Sequence, residues 1–271
     1  MQQPQIFATD DAIGRAVADE IVAGLAEAST AGRPYAVGAP SGRTPRSTYR
    51  ALATLLDGRR DLDLGRLHIV MMDDYVVRTR EGAFSRVDAA LPYSCERFGR
   101  DEILGPIAAA TGSGIPEANL HLPDAADPAA YDDVIDALGG VDLFILASGA
   151  TDGHVAFNPS GSPVDSLTRI VELSPETRRD NMDTFAPHFR SLDDVPGYGI
   201  TVGVGTILRA TRRAVMLLIG ESKRTAATTI ASATSYRPDW PATVVVECRN
   251  PSLYLDEAAA GALSADDREP R

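Results

Sequence analysis

The chain has 271 residues, 44% of them hydrophobic, with 26 Lys+Arg against 38 Asp+Glu and a formal net charge of -12. That apolar share is enough for a real core and excludes disorder throughout. The acid excess excludes a broad basic surface for nucleic acid or an anionic membrane, so an anionic small molecule has to be caught by a few local cations.

Cys95 and Cys248 lie far apart, with no Cys-x-x-Cys pair and no Cys/His cluster at metal-ligand spacing. They read as reduced thiols of a cytoplasmic protein, and neither a metal nor a cofactor is expected. The opening MQQPQIFATDD lacks a basic segment and an apolar stretch of leader type, and runs such as 214–219 are too short to cross a bilayer.

Ile13, Val17, Ile21 and Leu25 recur every four residues behind Asp10 and Asp11, which predicts a long amphipathic helix with carboxylates at its positive end. A strand over 35–38 runs into a Gly/Ser/Thr turn, and a second helix follows over 47–56. Strands are expected at 67–72, 141–147, 169–173, 214–219 and 243–247, apolar on both parities as strands covered on both faces are. Helical patterns over 131–138 and 222–232 lie between them, and 123–130 reads as a surface loop. The alternation predicts an α/β fold, a sheet sandwiched by helices. No repeat or low-complexity linker divides the chain, so 1–263 reads as one domain and 264–271 as a charged, frayed tail.

In such sheets ligands bind beyond the carboxyl ends of strands, and the turns there carry the chemistry. Residues Ser41, Gly42, Arg43 and Thr44 follow the first of these strands and open a helix. They can aim N–H groups and hydroxyls at an anion, or form an ordinary strand-to-helix turn; no Walker pattern is present. Asp73 and Asp74 end an apolar strand. Alternation sends them to opposite faces, so one can enter the crevice as a base while the other caps a helix or meets solvent, or both merely end the strand. His154, framed by Gly153 and with Asp152 two positions before it, is the best placed of the four His. Lys223 opens the helix after 214–219 and reads as a phosphate-binding point charge or a solvated lysine. Gly203-Val204-Gly205 only superficially resembles a dinucleotide turn, because the third Gly is missing.

Taken together, PSGRTPRSTYRAL (40–52), MMDDYV (71–76), TDGHVAFN (151–158), TRI (168–170), Thr177-Arg178 with Asn181, VPGYGITVGVGTIL (195–208) and GESK (220–223) resemble the glucosamine-6-phosphate deaminase family. The wider group also includes 6-phosphogluconolactonases, but the pairing of DGHVAFN with TVGVGT is closer to the deaminase branch. The resemblance implies a modified Rossmann-like three-layer αβα sandwich with a mostly parallel sheet, and a sugar phosphate as the small-molecule partner. It implies that Asp73 moves a proton between C1 and C2, that His154 with Asp152 opens the sugar ring, and that residues 41–44 and Lys223 hold the phosphate. Amino-sugar phosphate deaminase and aldose–ketose isomerase is therefore the leading function. A lactonase-like hydrolase and a non-catalytic sugar-phosphate sensor are the alternatives. Monomer and homo-oligomer both stay open.

Two departures stand out. The family pattern continues after the Asn with a Glu, whereas Asn158 is followed by Pro159-Ser160-Gly161, leaving His154 one acid neighbour fewer. The phosphate-binding Arg expected after Asn-Ser is replaced in Asn181-Met182-Asp183 by an acid that repels phosphate, while Arg43 brings a guanidinium into the anion turn. Arg178 and Arg179, about a helical turn before Asp183, are further candidates to compensate.

Overall fold

The computed structural model describes residues 3–264. The charged tail expected over 264–271 therefore lies, after Ser264, outside the described residues. Strands β1 (Gln5–Phe7), β2 (Tyr35–Ala39), β3 (Leu67–Met71), β6 (Leu120–His121), β7 (Leu143–Ala147), β10 (Ala214–Leu218) and β11 (Pro251–Asp256) build a seven-stranded sheet in the order β1-β11-β10-β7-β2-β3-β6. Every pairing in it is parallel.

Its strands read as continuous apolar runs because each face is covered. Along β10, Val215 and Leu217 enter one core while Ala214, Met216 and Leu218 enter the other. Helices α1 (Asp10–Ala31), α2 (Arg46–Leu56), α3 (Cys95–Phe98) and α4 (Gly105–Thr111) close the first face. Helices α5 (Ala130–Ala137), α7 (Val204–Ala210), α8 (Arg224–Ser232) and α9 (Glu257–Ala260) close the second. In α1, Ile13, Val17, Ile21 and Leu25 are all fully buried, each contributing roughly 1.5–3 kcal/mol. Thr9 caps that helix, its hydroxyl accepting the N–H of Ala12 at 3.1 Å.

A second, four-stranded antiparallel sheet, order β5-β4-β9-β8, is made of β4 (Asp73–Arg78), β5 (Phe84–Arg86), β8 (Arg169–Glu172) and β9 (Tyr198–Thr201). The chain passes from β3 into β4 through Met72, whose N–H still bonds Ala39 of the large sheet while its carbonyl already accepts Val202 N–H beside the small one. Helix α6 (Pro175–Thr184) lies over this junction, with Met182 packed against the small core around Tyr75 and Phe157.

Two strand expectations need correction. The segment at 169–173 forms a strand, but β8 belongs to the antiparallel sheet and is only half-buried, so its apolar residues do not signal cover on both faces. The run 243–247 is no strand: Pro241–Glu247 forms a 3-10 helix. Pro241 offers no N–H to a ladder, and the Thr243 hydroxyl accepts Arg237 N–H at 2.8 Å and donates to Trp240 O at 2.7 Å, closing a turn. Val244 and Val245 pack flat on the sheet, and β11 takes the place beside β10. A Cβ at Gly203 would stand 1.9 Å from Ser166 O, so glycine serves close packing there. Among the described residues no helix is long and apolar enough to cross a membrane.

Candidate active site

A cavity of about 480 Å³ opens beyond the carboxyl ends of β2, β3, β7 and β10. Ser41, Gly42, Arg43, Thr44, Asp73, His154 and Lys223 all line it, so seven of the eight residues singled out by pattern meet in one place, and the eighth, Asp152, stands directly behind His154.

Asp73 is the first residue of β4, 5% exposed, at the point where the chain changes sheet. Burial pushes its carboxyl up to about 7; the adjacent Asp74 adds to the rise, while the Cys95 thiol and His154 oppose it. Asp74 faces the other way and is fully buried. Its Oδ1 accepts the N–H groups of Tyr75 at 2.8 Å and Cys95 at 3.0 Å, and Arg86 lies 3.5 Å from Oδ2. Burial raises Asp74 to about 6 against these partners. It thus steadies the start of α3 and does not meet solvent.

The segment after β7 turns back on itself, Gly149 N–H bonding His154 O at 2.8 Å. His154 Nδ1 lies 2.8 Å from Asp152 Oδ1. With Nδ1 so engaged, Nε2 is the nitrogen left for proton exchange with a ligand. Ser174, the N-cap of α6, donates to Asp152 Oδ2 at 3.0 Å, and the Thr177 hydroxyl lies 3.2 Å from His154 Nδ1. Burial alone would raise the Asp152 carboxyl, but the hydrogen bonds and charge of His154, with the Ser174 hydroxyl, hold it well below the usual carboxylate range.

Beside the same segment Lys223 Nζ donates to Ser148 O at 2.7 Å. Burial lowers its ammonium, with Arg43 adding to that and Asp180 and Asp152 opposing it. The turn of residues 41–44 is pinned by Tyr49, whose hydroxyl donates to Pro40 O at 2.7 Å. Among the described residues the Arg43 guanidinium has no hydrogen-bond or ion-pair partner, and nor do the carboxylates of Asp180 and Asp183, which line the same cavity from α6. Opposite charges therefore face one cavity without pairing.

The two departures are visible in the structure. Asn158 is fully buried, donating to Val155 O at 3.1 Å and Val202 O at 2.8 Å and accepting from Arg169 at 2.9 Å. No second carboxylate follows it; the side chains that join the Asp152–His154 pair are the hydroxyls of Ser174 and Thr177. Arg178 and Arg179 do not compensate at the cavity: Arg178 bonds Leu192 O and Arg179 pairs with Glu176 at 3.0 Å, and neither lines it. Cys95, Ser174 and Asp180 were not singled out by pattern, and Thr177 was noted only within the Thr177-Arg178 match, with no role. Ser174-Pro175 is a legible helix start, whereas Cys95 carries no local signal. Among the described residues no group of three or more His, Cys, Asp or Glu could hold a metal ion.

A buried carboxylate and an imidazole–carboxylate pair share one strand-end cavity with a cation-bearing turn, an arrangement able to serve acid–base chemistry on a small polar ligand. Residues 8–255 match the family described as glucosamine-6-phosphate isomerases/6-phosphogluconolactonase. A glucosamine-6-phosphate deaminase of Arthrobacter sp. (strain FB24) is 35% identical over 262 residues, covering 94% of this chain and 90% of the relative. One of Corynebacterium urealyticum is 33% identical over 233 residues, covering 84% and 81%. A solved monomeric glucosamine-6-phosphate deaminase superposes with TM-score 0.81 at 24% identity over 96% of this chain and 100% of its own. The 6-phosphogluconolactonase of Thermotoga maritima superposes with 0.64 at 20% over 94% and 100%. The chain belongs to the glucosamine-6-phosphate isomerase and 6-phosphogluconolactonase family, on the shared fold of both branches.

Proposed function

We propose that this protein is an isomerising deaminase of an amino-sugar phosphate, with glucosamine 6-phosphate as the reference substrate. The observation that carries the reading is Asp73, a buried carboxylate raised towards neutrality in the same cavity as the Asp152–His154 pair. A base poised near the working pH combines adequate basicity with the right protonation state. His154 Nε2 hands a proton to the ring oxygen as the C1–O5 bond breaks and takes up the O1–H proton as the C1 carbonyl forms, and Asp152 stabilises the imidazolium before and after. In the open chain Asp73 removes the C2 proton, giving an enolamine, and after exchange with solvent delivers a proton to C1. The C2 iminium that results takes up water and releases ammonia, leaving the ketose phosphate. Lys223, Arg43 and the backbone N–H groups of residues 41–44 hold the phosphate end. Both cysteines are free, in keeping with the reducing cytoplasm in which we place the enzyme.

The test is turnover of glucosamine 6-phosphate in D₂O. Ammonia and ketose phosphate are expected, with deuterium at C1 of the product, and both are lost in Asp73→Asn while ligand binding persists. Hydrolysis of 6-phosphogluconolactone that vanishes in His154→Ala would reassign the protein to the lactonase branch. Binding with neither reaction would make it a sensor.

A further inference from the structure

We propose that Cys95 is a positioning residue for Asp73, fixing which carboxylate oxygen faces the ligand and linking the base to the anion turn. The inference rests on Asp73 being the proton-transfer base.

Cys95 opens α3 and is 1% exposed. Its N–H donates to Asp74 Oδ1 at 3.0 Å, and its Sγ lies 3.4 Å from Asp73 Oδ1 and 3.3 Å from Ser41 Oγ. One residue thus touches both carboxylates and the first residue of the anion turn. Burial, with Asp74 and Asp73 beside it, pushes the thiol well above its ordinary range, so it stays protonated. A thiol has a single proton. With that proton donated to Asp73, the Ser41 hydroxyl must donate to sulfur, giving a chain from Ser41 O–H through Cys95 S–H to Oδ1.

The consequence for the base is geometric and chemical. The thiol engages Oδ1, while among the described residues no group bonds Oδ2, so Oδ2 is the oxygen with both lone pairs left for the substrate proton. A thiol is a weak donor, so it orients the carboxylate while withdrawing little of its basicity. A hydroxyl or amide N–H in that position would hold the anion more firmly and leave a poorer base. The groups whose charge reaches Asp73 are Asp74 and Tyr75 on its own strand, Cys95 from α3, His154 from the segment after β7, Tyr49 from α2 and Tyr131 from α5. Cys95 is the one among them that donates a side-chain hydrogen bond to it.

The experiment compares wild type, Cys95→Ala and Cys95→Ser by the pH profile of kcat/KM and by the ¹³C carboxyl titration of Asp73. Cys95→Ala is expected to move the acid limb and the titration up by about half a pH unit. Its kcat should fall several-fold with KM within twofold. Cys95→Ser, a stronger donor, is expected to move both down, and its opposite sign keeps the test alive if the alanine variant does not fold. An acid limb and a carboxyl titration that stay put in a folded Cys95→Ala or Cys95→Ser variant would reduce Cys95 to packing and overturn the proposal. If the wild type turns over no sugar phosphate, the catalytic reading of Asp73 fails, yet the carboxyl titration still decides whether Cys95 acts on it.

Discussion

Asp73 and Asp74 are neighbours in the chain, but the carboxylate of Asp73 lines the cavity while that of Asp74 lies fully buried behind it, bonded to the N–H of Cys95 at 3.0 Å. A strand places successive side chains on opposite faces, so one dipeptide supplies both a cavity-lining acid and the anchor of the helix that packs against it.

Asp73 costs stability at neutral pH. Its carboxyl ordinarily titrates at 3.8 and in the fold at about 7, so the folded state binds more protons between these values and loses stability as pH rises through them. Asp73→Asn is therefore expected to be more stable than wild type by on the order of a few kcal/mol at pH 8, with the advantage gone below about pH 4. Thermal melts of both proteins from pH 4 to pH 8 check this. A constant difference across the range would contradict the linkage.

Asp180 and Asp183 face the cavity that holds Lys223 and Arg43. Replacing both by Asn is expected to lower KM for glucosamine 6-phosphate about tenfold, or about 1.4 kcal/mol. Raised salt, which screens the repulsion, should narrow the gap. KM against ionic strength for the two proteins reads this directly, and a rise in KM on substitution would show that the acids hold the ligand instead.

Gly149 leaves no room for a side chain: a Cβ would stand 2.2 Å from Asp152 Oδ1 and 2.4 Å from His154 Nδ1. Gly149→Ala should push the imidazole off Asp152 and cut kcat ten- to a hundredfold, at a stability cost of about 1–3 kcal/mol. Steady-state kinetics beside a denaturant melt separate the two effects.

Thr177 places its hydroxyl 3.2 Å from His154 Nδ1 and 3.4 Å from Asp152 Oδ2. Thr177→Val keeps the shape and removes the hydroxyl, so kcat should fall roughly threefold to tenfold for about 1 kcal/mol lost in hydrogen bonding. The variant's rate on substrate already in the open-chain form should be nearly that of wild type if the loss lies in ring opening.

How far the chain could be read follows from the range of each interaction. The periodicity of α1 and the two-faced apolar runs of β3, β7 and β10 reveal their structure because burial acts on every residue of the element. The segment 243–247 misled because a β-branched run suits a buried strand and a buried 3-10 helix equally, and the local choice turned on Pro241 and the Thr243 hydroxyl. The short strands β1, β5 and β6 carry too few residues for any pattern.

Residue order alone determined the turns that meet at the cavity: the acids after β3, the Asp152–His154 spacing, the Gly/Ser/Thr turn and Lys223, because each sits beside a strand strong enough to be recognised. Only the tertiary structure decided which of Asp73 and Asp74 faces the cavity, that Ser174 and Thr177 join His154, that Arg178 and Arg179 point elsewhere, and that Cys95 touches Asp73. Those outcomes depend on the passage from one sheet to the other at Met72 and on helices packed from distant parts of the chain. Such contacts leave no periodic trace in sequence, since they are set by where whole elements come to rest.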